Sequence, residues 1–141
     1  MSLTQKLGYA GLLPFIGFAA LGYLEGDWAL SSFVVYSALI LSFMAGGSWG
    51  ALQAHLKTPV AGIQWKLAAA ILIFLWGWGM TYVPVVPGLA GLLVGFVLLL
   101  GLEQTAIFRQ HYTVGYRVLR LVLTSVVVAC HAVLLWKLTL A

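Results

Sequence analysis

The residues of this chain that could do chemistry are few, and most of them lie near its end. Arg117, Arg120, Thr124, Val128 and His131 step by 3, 4, 4 and 3 residues, so they share one stripe of a helix. Glu103 is the acid nearest to them in sequence, and an arginine can hold a carboxylate through two parallel hydrogen bonds. As a site, the stripe could line a polar cavity, bind an anionic head group, or lead a proton to His131. As structure, the arginines would reach lipid phosphates, Glu103 would form a stabilising ion pair, and His131 would satisfy a backbone carbonyl. Both readings stand at the level of sequence.

The other reactive types form no constellation. His55 and His111 fall in two polar loops on one side, whereas His131 lies deep in an apolar segment. With no H-x-x-x-H motif and no Cys/His cluster, neither a metal nor any other cofactor is expected. Ser48 lacks a nucleophile-elbow context, and adjacency in a helix does not make Cys130 and His131 a dyad. The run Ala45 to Gly50 is glycine-rich but lacks the Lys-Ser/Thr of a phosphate loop. No catalytic residue is assigned, and the expectation is a protein that is not an enzyme.

What must position these residues is read from the charges. The chain is 63% hydrophobic and 7% charged, and its charges lie outside or at the edges of five apolar stretches. Too few polar residues exist to cover a water-soluble surface. The net charge of +4 does not mark a nucleic-acid binder, because the basic residues flank apolar segments instead of clustering on a wet face. A crossing needs about 20 apolar residues. The expected fold is an all-α membrane protein, a compact bundle of five transmembrane helices over 7–24, 29–52, 65–82, 85–102 and 117–140. All 141 residues form a single domain in this reading. The first segment is read as a retained helix and not a cleaved signal, with a kink at Pro14. A polar loop from Gln53 to Gln64, containing Pro59, joins the second and third segments.

Five crossings put Lys6, Lys57, Lys66, Arg109, Arg117 and Arg120 on one side, and Glu25, Asp27 and Lys137 on the other. The positive-inside rule then makes the N-terminus cytoplasmic and the C-terminus outside. Tyr9, Trp49, Trp65, Tyr112 and Tyr116 fall near the inner boundary, and Tyr23, Trp28, Trp78, Tyr82 and Trp136 near the outer one. Lipid tails are as apolar as leucine, so close packing through small residues holds such helices together. Gly46 with Gly50, and Gly91 with Gly95, have the spacing for it. Each pair is expected to pack within the chain, with a homodimer or partner contact as the alternative.

Three segments carry a resemblance. They are Leu7-Gly8-Tyr9-Ala10-Gly11-Leu12-Leu13-Pro14-Phe15, then Tyr36 to Phe43 with Gly46, Trp49 and Gly50 following, and Tyr116-Arg117-Val118-Leu119-Arg120-Leu121-Val122-Leu123-Thr124. Together they resemble the small membrane proteins of the domain of unknown function 3429 family (transmembrane protein 69-like), over the whole chain. The resemblance implies a small multi-helix membrane protein of bacteria or mitochondria and carries no activity. It also implies a histidine before the Trp-Gly pair, where this chain has Ser48, and a proline where it has Val122. These motifs suggest a polar pocket near the cytoplasmic face, capped by Trp49 and lined by Glu103, Arg117 and Arg120.

The functional expectation is a non-enzymatic protein of the bacterial inner membrane (the mitochondrial inner membrane in a eukaryote). It would touch lipid, and act as an accessory or assembly subunit of a larger membrane complex or bind a lipophilic small ligand. The alternative is a small proton-linked transporter using Glu103, Arg117, Arg120 and His131.

Overall fold

The computed structural model describes residues 2–57 and 61–140. Pro59, in the expected polar loop, lies outside the described residues. The chain opens with α1 (Leu3–Ala10), where Ser2 and Gln5 form a reciprocal capping box. Pro14 has no N–H, so the Ala10 carbonyl loses its helical partner and the helix breaks at Gly11. The second half, α2 (Leu12–Leu24), continues from there. A hydroxyl from outside steadies the break: Tyr36 Oη donates to the Gly11 carbonyl at 2.8 Å. Gly26, at φ +103°, turns the chain as most residues cannot. Asp27 then opens α3 (Asp27–Gln53) with a carboxylate at the positive end of the helix.

The remaining elements are α4 (Ile63–Gly79), α5 (Val85–Glu103), α6 (Ala106–His111) and α7 (Val114–Leu140). Pro84 caps α5, and Pro87 is tolerated in its first turn, where N–H groups have no helical acceptor. The short α6 is a difference from the sequence reading, which ran that stretch as a loop. The third segment also ends early: the helix stops at Gly79 instead of continuing to Tyr82.

Four helices are long and apolar enough to cross a membrane: Leu3–Leu24 (broken at Gly11), Asp27–Gln53, Val85–Glu103 and Val114–Leu140. Ile63–Gly79, at 17 residues, is apolar but shorter. The chain is thus a helical bundle, with α3 packed along α2, α4 and α5, and α7 closing against α5 and α2. Phe15, Phe33, Leu41, Phe96, Leu99 and Leu134 fill the centre. Leu39, Phe43, Leu72, Leu98 and Leu121 face outward. An apolar exterior of that extent fits lipid and not water.

The two glycine pairs part company here. A Cβ at Gly91 would run into Met80, and one at Gly95 would lie 2.7 Å from Leu41. Trp76 Nε1 crosses the same gap to donate to the Gly91 carbonyl at 2.7 Å. Gly46 and Gly50 correct the expectation of packing within the chain. An added Cβ at either would meet nothing within 4 Å, because both project from the outer face of α3.

Candidate functional site

The inward positions of α3 run Ser37, Leu41, Met44, Ser48 and Leu52, and those of α7 run Arg120, Thr124, Val127, His131 and Leu134. Both follow the helical period, so each helix presents one polar-spotted edge to the bundle interior. Two polar centres form where these edges meet.

The first centre lies near the α5 C-terminus. Glu103 and Arg120 are 4% and 5% exposed. Arg120 Nε donates to Glu103 Oε2 at 3.0 Å, and Nη2 pairs with Oε1. Nη2 also reaches the Met44 carbonyl at 3.3 Å and Ser48 Oγ at 3.5 Å. The Ser48 hydroxyl donates to Glu103 Oε1 at 2.9 Å. A buried carboxylate is tolerable only with this kind of satisfaction. The Tyr112 hydroxyl meets Ser48 from the α6–α7 connection, where burial pushes its pKa up to about 12. Tyr116 brings its ring to 5.7 Å from the Arg120 guanidinium, within range of a cation–π contact. Among the described residues, Arg120 Nη1 alone of the three guanidinium nitrogens has no acceptor.

The second centre is His131, which has no exposed surface. Its Nδ1 lies 2.7 Å from the Val127 carbonyl, which can only accept, so that nitrogen carries the proton. In the neutral ring Nε2 then accepts from the Ser37 hydroxyl at 2.7 Å. Phe15, Phe33 and Phe96 surround the imidazole, with ring centroids 6.3, 4.8 and 5.6 Å away. His131 is thereby closed off from solvent.

Beside the first centre runs a groove between α1–α2, α3 and α7, along which α1 buries no residue. Its inner part, about 400 Å³, is walled by Leu7, Leu12 and Phe15 from α1 and α2, Ile40 and Phe43 from α3, and Leu123 and Val127 from α7. Arg120 is the one charged side chain on that wall. Its outer part, about 630 Å³, carries polar groups from Ser2, Thr4, Gln5, His111, Tyr112 and Tyr116 among apolar surface. Thr4, Tyr116 and Leu119 line both parts, so the two adjoin.

The structure therefore brings together Glu103 and Arg120, and sets Thr124 one turn below on the same buried edge. It leaves out Trp49, which is 40% exposed and sits with Ser42 and Gly46 of α3 and Ile71 and Phe74 of α4 at the outer side of the α3–α4 seam. Neighbouring helical residues point about 100° apart, so burying Ser48 turns Trp49 outward. Trp49 does not cap the pocket. Arg117 is half-buried beside the centre but forms no bond to Glu103, and its Nε has no partner among the described residues. Ser48, Tyr112 and Tyr116 are members the sequence reading did not assign. The signal for Ser48 was present in its spacing of 4 from Met44 and 11 from Ser37. His55 Nε2 and His111 Nδ1 meet at 3.1 Å on the surface, but no group of three or more metal-ligating side chains forms among the described residues.

Fold and site together define a helical membrane protein with a paired charge buried in its core. The chain belongs to the family described as Protein of unknown function (DUF3429), whose model matches residues 2–136. No curated protein and no solved structure matches it.

Proposed function

We propose that this protein is a non-enzymatic, lipid-embedded binder of a lipophilic small molecule, held in the groove between α1–α2 and α7. The observation carrying this reading is that the two parts of the groove adjoin. The groove runs from hydroxyl-rich walls at Tyr112 and Tyr116, past Arg120, to a purely apolar end at Phe15 and Val127. Such an ordered change from polar to apolar suits an amphiphile, with a few placed polar groups fixing its orientation. The closed cage around His131 speaks against the transport alternative, because a proton relay needs water or titratable neighbours along its path.

In this reading the chain crosses the membrane five times. At 17 residues α4 is at the short end of what spans ~30 Å of hydrocarbon. The N-terminus is cytoplasmic, following the six basic residues on that side, and the membrane is the bacterial inner membrane. An accessory role in a larger complex would use the open outer face at Gly46 and Gly50, and has less to support it.

The test is native mass spectrometry of protein extracted gently from its own membranes, beside the Leu123→Trp variant, whose indole fills the apolar half of the groove. A small added mass on the wild type that is lost in the variant is the expected result. Bare protein in both cases, or a mass unaffected by Leu123→Trp, would overturn the reading.

A further inference from the structure

We infer that the ligand is an uncharged acyl ester of a polyol, a glycerolipid with a hydroxylated, phosphate-free head, and that Arg120 reads its ester carbonyl. The inference rests on the amphiphile-binding reading above and adds the chemical class. It follows from which groups along the groove are still free to bond. Glu103 takes two nitrogens of the Arg120 guanidinium, so the pair carries no net charge, and Nη1 is the one nitrogen of that guanidinium with no acceptor among the described residues. A neutral carbonyl oxygen matches a lone guanidinium N–H edge at a charge-balanced pair. An anion set against Nη1 would lie close to the Glu103 carboxylate, a like charge in a medium that screens little.

The order of the walls selects an ester over other carbonyl compounds. Outward from Arg120, toward the α1 N-terminus, the groove offers Thr4, Gln5, Tyr112 and Tyr116, which donate and accept as a polyol does, beside His111, whose Nδ1 is taken up by His55. Gln5 spends its Oε1 on the capping box and keeps its Nε2 toward Gly115, across the groove. Inward from Arg120 the wall is apolar down to Val127, seven residues or about 10 Å deeper on α7. Hydroxyls, then a carbonyl acceptor, then hydrocarbon is the sequence of groups in a monoacylglycerol. A quinone places its carbonyls at the very tip of the head and would leave the hydroxyl-lined end unmatched.

The experiment titrates delipidated full-length protein with three probes of matched chain length, read by native mass spectrometry. The probes are a monoacylglycerol, the corresponding lysophosphatidic acid, and an alkyl benzoquinone. The monoacylglycerol is expected to bind about tenfold tighter than either competitor, the discrimination of one or two hydrogen bonds. Arg120→Lys keeps a cation opposite Glu103 but loses the forked donor, and is expected to erase that preference. Because single changes at the pair can unfold the chain, Glu103→Met/Arg120→Met serves as a second variant that strands no charge; it too should bind the three probes alike. Tyr116→Phe should weaken the monoacylglycerol alone.

Equal or tighter binding of lysophosphatidic acid or of the quinone would overturn the inference, as would an unchanged preference in the Arg120 variants. If wild type binds some amphiphile that Leu123→Trp excludes, the binding reading survives that failure. If no probe binds and the extracted protein carries none, both fall together.

Discussion

Among the described residues Glu103, 4% exposed between α3, α5 and α7, has only Arg120 and the Ser48 hydroxyl as partners, and replacing Arg120 by methionine removes the charged one. Four guanidinium contacts go with it: the two to Glu103, the 3.3 Å bond to the Met44 carbonyl and the 3.5 Å contact with Ser48 Oγ. Breaking a buried pair from one side costs about 3–5 kcal/mol, because the remaining charge stays where water cannot reach it. That is between about two and four powers of ten in the unfolding equilibrium. Glu103→Met should cost a similar amount by stranding the guanidinium. The double change Glu103→Met/Arg120→Met strands no charge, though it takes both of these partners from the Ser48 hydroxyl, and replacing such a pair by apolar side chains is neutral to stabilising by about 1–4 kcal/mol. The assay is equilibrium unfolding in mixed micelles followed by tryptophan fluorescence, run as a double-mutant cycle. Two results would refute the reasoning: a single change costing less than about 1 kcal/mol, or a double change as costly as the two singles added.

Ser37→Ala leaves His131 Nε2 without its partner in the phenylalanine cage and should cost about 1–3 kcal/mol, while Ser37→Ala/His131→Phe should recover much of it in the same assay. Gly95→Ala pushes a methyl into Leu41 and should destabilise by about 1–3 kcal/mol; Gly46→Ala and Gly50→Ala, with open space before them, should stay within about 0.5 kcal/mol. Tyr36→Phe releases the Gly11 carbonyl at the helix break and should cost about 1 kcal/mol, seen as faster hydrogen exchange in α1. Tyr112 gives a pH signature. Its pKa is raised by burial from 10.0 to about 12, so the folded state holds the proton more tightly than the unfolded one. Its contribution to stability is complete below pH 10 and is lost as the pH rises toward 12. Phenolate absorbance should show one late-titrating tyrosine that disappears in Tyr112→Phe.

The bundle was legible in the sequence wherever hydrophobicity alone decides. Charges confined to the edges of apolar runs marked α3, α5 and α7 to within a few residues, and Pro14 marked the break in the first span. Glu103 and Arg120 stood out for the same reason, as isolated charges beside hydrocarbon that had to find each other. What needed the rotation of each helix was not legible. A serine and a tryptophan at 48 and 49 are equally plausible pocket residues until packing chooses one, and the buried Met44–Ser48 edge of α3 chose Ser48. Gly46 and Gly50 share the spacing of Gly91 and Gly95, but spacing does not say which way a face points. The short α6 was hidden because six residues show too little periodicity to read.

Glu103 closes α5 and Arg120 lies in the second turn of α7, with α6 folding the chain back between them. They are 17 residues apart, so the last two long helices form a hairpin that carries its own counter-ion. The acid is therefore translated before the base that matches it. Moved into hydrocarbon together, the two helices carry an electrically neutral pair, which costs far less than burying either charge alone.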